Sequence, residues 1–192
     1  MLTAQKVYRM LGNESLWKVA EQCHALLSAA EIPYSICGGV AVCLHGYQRN
    51  TVDLDLVIRP IDNEAVRNLL SEEGLVWDEA QAEFRTPAGI AVQFLIAGQK
   101  AGKGSEVTIP EPIGESNVEE REGLTVVRLS RLIEMKIACG MSNLRRTHKD
   151  FADVVELIAA RNLDGSFARF IHPSLRTTFR KLVRNAQTTD TD

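Results

Sequence analysis

Residues Gly38 to Ile58 read GGVAVCLHGYQRNTVDLDLVI, and the fold turns on this stretch. It sets a glycine pair, a polar turn, and then two aspartates one residue apart at the start of an apolar strand. Side chains i and i+2 of a strand point to the same face. Asp53 and Asp55 therefore project together, and Leu54 and Leu56 face the other way. Two neighbouring carboxylates repel unless something cationic sits between them. A divalent ion with oxygen ligands answers that need, Mg²⁺ in particular. The alternative is a pair of solvated carboxylates at a strand edge. The strand around them reads VxLxLVI, which calls for half-burial, where an unpaired charge is costly.

The residues before the aspartates bear on the same chemistry. Gly38 and Gly39 let a backbone approach a phosphate closely. They also open an expected helix, whose free N–H groups favour an anion. A tight strand-to-helix turn with no ligand would use the same two residues. Arg49 offers a fork of donors to a phosphate oxygen, and Thr51 can hydrogen-bond the turn that sets up the aspartates. Both read equally well as exposed turn residues. His45 has no obvious partner and reads as structural. Glycines, paired aspartates and a hard metal together point to phosphoryl or nucleotidyl transfer.

Outward from this stretch, apolar Leu16, Val19, Ala20, Cys23, Leu26 and Leu27 recur at helical spacing, predicting a helix over Gly12 to Glu31 that stops at Pro33. Tyr34 to Cys37 is a short strand running into the glycines, Val40 to Gly46 a short helix, and Leu54 to Ile58 a strand ended by Pro60. Asn63 to Glu73 is a helix with Asp62 as N-cap. Strands follow at Gly74 to Trp77, Ala82 to Thr86 and Ile90 to Ala97, the last strongly apolar with one polar interruption, Gln93. Residues 98 to 122 are rich in Gly, Glu, Ser and Pro and read as a loop, with at most a short strand at Val107 to Ile109. Leu124 to Leu129 is a strand. Ser130 is expected to cap a helix through Cys139, with Glu134 near its first turn. Helices are expected from about Thr147 to Ala160 and after Pro173, and Ala186 to Asp192 as a frayed polar end.

Composition is ordinary for a globular chain of 192 residues, with 45% hydrophobic and 24% charged residues, so a proper core is within reach. No run approaches the ~18 apolar residues that cross a bilayer. MLTAQKVYRMLGNESLW lacks the apolar core of a secretion signal. Cys23, Cys37, Cys43 and Cys139 form no CxxC pair and no metal-ligand spacing, which fits reduced thiols in a cytoplasmic protein. The net charge of −3 is unevenly spread: residues 1–120 carry 9 Lys+Arg against 17 Asp+Glu, and residues 121–184 carry 13 against 6. Such a split suits a polyanion held between an acidic and a basic half. It equally suits two halves docked by opposite charge. AGKGS at Ala101 to Ser105 lacks the spacing and setting of a phosphate loop.

The Gly38-Gly39 pair, Arg49-x-Thr51 and Asp53-x-Asp55, in that order and spacing, resemble the signature of the DNA polymerase beta-like nucleotidyltransferase superfamily. The small bacterial AbiEii-like toxin nucleotidyltransferases are the subgroup it is most similar to. LSRLIEMKIACGMSNLRRTHKD, Leu129 to Asp150, resembles that subgroup's later helical region, and the likeness spans roughly residues 30 to 160. The resemblance implies an NTP donor, Mg²⁺ (two ions in an active enzyme) held by Asp53 and Asp55, and phosphate contacts from Gly38, Gly39, Arg49, Thr51, Lys136 and Lys149. The Lys149-Asp150 pair reads as well in a structural role, with Asp150 fixing a helix start or pairing Arg145 or Arg146. Lys136 has Ile133 and Ile137 beside it at helical spacing, near the core-facing stripe. The family also carries a third acidic residue on a neighbouring strand. The matching strand, IAVQFLIA, holds Gln93 in that slot, and an amide can coordinate through its carbonyl but cannot act as a base. Asp78 or Glu83 could supply a carboxylate from another strand.

The expectation is thus an α+β nucleotidyltransferase fold: a small mixed twisted sheet with flanking helices over 1–128, and a helical region over 129–192 packed on it. It would transfer a nucleoside monophosphate from an NTP to a hydroxyl of RNA, protein or a small molecule, with no membrane involved. The alternative is a catalytically weak or inactive member that binds nucleotide, RNA or a protein partner, including a place in a toxin–antitoxin pair.

Overall fold

The computed structural model describes residues 3–187. One mixed sheet of seven strands organises the molecule. Strand β1 (Tyr34–Cys37) lies in its interior and is buried along its whole length. It runs antiparallel to β2 (Asp53–Ile58) on one side and parallel to β7 (Leu124–Val127) on the other. Strand β5 (Ala91–Ile96) lies parallel to β2 in continuous register from Asp53↔Ala91 to Ile58↔Ile96. Beyond it, β4 (Glu83–Arg85) and β3 (Val76–Asp78) add antiparallel. On the far edge β6 (Val118–Arg121) pairs with β7. The full order is β3-β4-β5-β2-β1-β7-β6, a mixed sheet with helices around it, as the sequence reading expected.

Alternation builds the core from this sheet. Leu54 and Leu56 are fully buried on the face of β2 opposite Asp53 and Asp55. Helix α2 (Glu14–Ala29) packs on β2 and β7. Helix α3 (Gly38–Leu44) packs on β1, β2 and β7 and touches α5 (Leu129–Ser142). Helix α5 forms a hairpin with α6 (Leu144–Ala160), the two joined at Asn143, whose side chain accepts from the Arg145 N–H. Two short 3-10 turns then lead to α7 (Arg176–Gln187), which packs on α6. Asn63–Glu72 forms α4.

Several local expectations are corrected. A helix α1 (Ala4–Met10) precedes α2, where the sequence reading had placed nothing. Thr3 caps it, Tyr8 is fully buried against Trp17, and Glu122 accepts from the Ala4 N–H at 2.8 Å. Asp62 stands at the N-cap position of α4 as expected but gives it no side-chain hydrogen bond, because Arg59 occupies both its oxygens, at 2.6 and 3.0 Å. Ser130 does not cap α5, which begins a residue earlier without a side-chain cap. Glu134 lies inside that helix, buried, accepting from the His172 N–H and paired with Arg131. Residues 118–121, read as loop, form β6, closed onto β7 by a two-residue turn at Glu122 and Gly123, both with positive φ. Val107 to Ile109 contributes only a bridge between Lys100 and Thr108. Ala186 and Gln187 belong to α7; Thr188 to Asp192 lie outside the described residues.

Phe84 anchors the outer strands, fully buried with its ring 5.1 Å from Trp77 and 5.8 Å from Phe94. Phe84→Ala should cost roughly 3–5 kcal/mol. Urea unfolding measures it, and a loss below about 1 kcal/mol would show that β3 and β4 contribute little to the cooperative core.

Candidate functional site

Strand register places the sequence-predicted residues. Cys37, Asp55 and Gln93 are direct partners across β1, β2 and β5. Asp53 stands two residues before Asp55, on the same face at the start of β2. Thr51 is buried, and its hydroxyl donates to Asp53 Oδ1 at 2.6 Å, so this residue fixes a carboxylate directly.

The two glycines have a specific steric reason. Gly38 adopts φ 62°, and a Cβ there would overlap the Asp55 carboxylate. A Cβ at Gly39 would fall 2.5 Å from Thr51 Oγ1 and 3.1 Å from the Arg49 guanidinium. The pair thus makes room for the residues around the aspartates, in addition to turning the strand into α3.

Asp55 lines a cleft of about 290 Å³ together with Gly38, Gln93, Lys100, Lys136 and Arg146. Asp53 is not among the residues lining it. One wall is apolar, with Phe94 and Leu95 from β5 and Leu132 and Met135 from α5. Burial, with the charge of Asp53 second, raises Asp55 from its usual 3.8 to about 6, while Lys136, Arg146 and Lys149 pull the other way. Asp53 and Asp55 have no cation of the protein bonded between them in the described structure.

The cations are organised by acids from α6. Lys136 is buried on α5, with its Nζ 2.6 Å from Asp153 and 3.3 Å from Asp150. Arg49 reaches the same Asp153, its Nε 2.7 Å and Nη2 3.1 Å from the two carboxylate oxygens. Arg146 binds Asp150 at 3.0 Å. Burial opposes the ionisation of Asp150, but the Arg146 hydrogen bond and the Lys136 and Arg146 charges outweigh it and hold Asp150 below the usual carboxylate range. Asp150 lies within α6 and not at its start, and Arg146 is its helical partner. Lys149 is exposed and does not line the cleft.

Sequence reasoning missed Asp153. Its signal was an acid three residues after Asp150 on the same face of an amphipathic helix. Glu83, the alternative carboxylate, is buried on β4 and accepts from Gln93 Nε2 at 2.7 Å. Asp78 instead turns the β3–β4 connection, accepting from the Ala80 and Gln81 N–H groups. His45 is structural as read, donating from Nε2 to the Val127 carbonyl at 2.8 Å, and burial lowers its pKa to about 4. Ala101–Ser105 belongs to a loop whose Gly102 packs tightly on Ala138 of α5, and the four cysteines are free.

Two adjacent carboxylates suit Mg²⁺, which keeps several waters and takes one or two carboxylates alongside substrate phosphates. They do not form an all-protein cage: among the described residues no cluster of three or more His, Cys, Asp or Glu could hold a metal.

No family model matches the chain, and no curated protein matches it by sequence. Solved structures do match by shape. ANT(2″)-Ia, in a crystal structure with adenylyl-2″-tobramycin, superposes with a TM-score of 0.58 at 12% identity, covering 89% of this chain and 98% of its own. The solution structure of ANT(2″)-Ia gives 0.53 at 10%, over 89% and 92%. An antigenic nucleotidyltransferase-like protein from Paracoccidioides brasiliensis gives 0.54 at 20%, over 88% and 87%. The fold is therefore that of the nucleotidyltransferases.

Two outcomes follow from the charges. Asp153→Ala leaves Arg49 without its carboxylate and Lys136 with one acid in place of two, so it should cost about 3 kcal/mol or more in urea unfolding; a loss under about 1 kcal/mol would mean the cations find water instead. Asp55 binds more protons folded than unfolded between pH 3.8 and about 6, so its ionisation costs stability as pH rises through that window, and the full cost is present above it. In EDTA, Asp55→Asn should therefore raise Tm at pH 8 and leave it unchanged near pH 3.5. An equal effect at both pH values would contradict the raised pKa.

Proposed function

We propose that this protein transfers a nucleoside monophosphate from an NTP to a hydroxyl acceptor with Mg²⁺. The reading rests on one observation above all: Asp55 lies beside Gly38 at the floor of a cleft whose other side carries Lys136 and Arg146. The fold of the nucleotidyltransferases supports it. The cleft takes residues from both the proposed core, 1–128, and the proposed helical region, 129–192.

In this reading Asp53 and Asp55 hold Mg²⁺, which when bound supplies charge stabilisation to the attacking and leaving oxygens. Arg146 and Lys100 meet the phosphates from the cleft wall. Lys136 and Arg49, held by Asp153, contribute fixed positive charge rather than mobile grip. Gly38, Gly39 and Thr51 shape the floor, and Lys149 acts at longer range. The acceptor oxygen bonds to the α-phosphorus, the bond to the bridging oxygen breaks, and pyrophosphate leaves. Gln93 can accept a hydrogen bond from the acceptor hydroxyl but not its proton, which passes to water or a phosphate oxygen.

The acceptor is a small molecule, RNA or protein hydroxyl. The ANT(2″)-Ia structure, which contains adenylyl-2″-tobramycin, favours the first class. The likeness of Leu129–Asp150 to the AbiEii-like subgroup favours RNA within a toxin–antitoxin pair, in the cytoplasm. No helix among the described residues is long and apolar enough to cross a membrane. Gln93 favours a second reading, a member that binds nucleotide without turnover.

Mg²⁺ with an NTP at 100 times Kd should raise Tm by about 5–10 °C, and Asp53→Asn with Asp55→Asn should abolish the rise. The same protein incubated with each labelled NTP, Mg²⁺ and RNA, lysate or aminoglycoside should transfer label. A full thermal shift in the double variant removes the carboxylates from the site; a shift without label transfer in any mixture selects the non-catalytic reading.

A further inference from the structure

The position beside Asp55 is filled by an amide, and the structure shows what holds that amide. Register runs in a line across three strands: Asp55 pairs with Gln93, and the β4–β5 ladder that pairs Phe84 with Val92 sets Glu83 opposite Gln93. All three side chains share a face. Glu83 is only 4% exposed, on a three-residue strand near the sheet edge. Its Oε2 accepts from Gln93 Nε2 at 2.7 Å, and its Oε1 lies against the Arg85 guanidinium.

A carboxylate can only accept hydrogen bonds, so it decides which end of an amide faces it. The reversed Gln93 amide would set a carbonyl oxygen against a carboxylate oxygen. Resting on the proposed nucleotidyl transfer, we propose that Glu83 is a positioning residue: it holds Gln93 by the amide nitrogen and so presents the carbonyl oxygen to the cleft beside Asp55. The acid is displaced one strand outward, and a neutral oxygen donor takes the inner place. That oxygen can ligate a cation or orient a hydroxyl. The arrangement also explains why Glu83 is buried on a strand where an apolar residue would cost less.

The arrangement predicts a reciprocal pair. Gln93→Glu sets two buried carboxylates against each other, whereas adding Glu83→Gln rebuilds the same N–H···O contact in reverse. In the full chain without metal, Gln93→Glu should lower Tm by about 5–10 °C, and the double variant should recover most of that loss. Mn²⁺ affinity, read by electron paramagnetic resonance, separates positioning from packing. Glu83→Gln alone frees the amide to turn over and should weaken Mn²⁺ binding several-fold. The double variant places a carboxylate beside Asp55 and should bind Mn²⁺ about tenfold more tightly than the unaltered protein. The proposal is overturned if Gln93→Glu is as stable as the unaltered chain, if the double variant shows no recovery, or if Mn²⁺ affinity is the same in all three variants. Asp55→Asn is the control. Unchanged Mn²⁺ binding there overturns the proposed function, while the reciprocal Tm rescue still decides the Glu83–Gln93 contact.

Discussion

The carboxylate of Asp153 ties the turn before β2 to the helices α5 and α6. From α6 it takes Arg49, which lies on the turn before β2, with both oxygens, and Lys136 of α5 with one. Arg49 and Asp153 are 104 residues apart in sequence. Buried ion pairs add little net stability but resist the loss of one partner. What this one supplies is position. The turn carrying Thr51, the strand carrying the aspartates and the helix hairpin forming the opposite wall are all referred to one side chain. The uneven charge along the chain resolves here in part as contact between an arginine of the acidic half and an acid of the basic half.

This arrangement divides the labour among the cations. Lys136 and Arg49 are already satisfied by Asp150 and Asp153, so they shape the field without needing a ligand. Arg146 is also paired, with Asp150, but lies half exposed at the mouth of the cleft that Lys100 lines as well. On the other side, burial first and the charge of Asp53 second hold Asp55 at a raised pKa.

Much of this was legible in the chain. Apolar runs bounded by glycine and proline, with alternation at the aspartates, pointed to β1, β2, β5 and β7, because buried strands must be apolar on at least one face. The failures have physical causes. Strand β6 reads VEER, and an edge strand needs no apolar face to pair. Helix α1 has seven residues and is held by Glu122, far along the sequence. Asp62 obeys the rule for a cap, but Arg59 competes for its oxygens and wins. The aspartates, glycines, Arg49 and Lys136 stood out as types in a pattern. Asp153 and the bond from Gln93 to Glu83 did not, since both are tertiary pairings between elements with no local signature.

The position of β1 has a consequence for how the chain comes to be folded. It is the first strand synthesised, yet one of its edges waits for β7, whose Val126 pairs with Ile36 about 90 residues later. At ribosomal rates that is a delay of roughly 5–20 s. Through that interval a strand that ends buried along its whole length has only β2 beside it, and α1 lacks the glutamate that binds its first turn. The half-made protein thus carries an open sheet edge, of the kind that pairs with other chains, until β7 arrives to cover it.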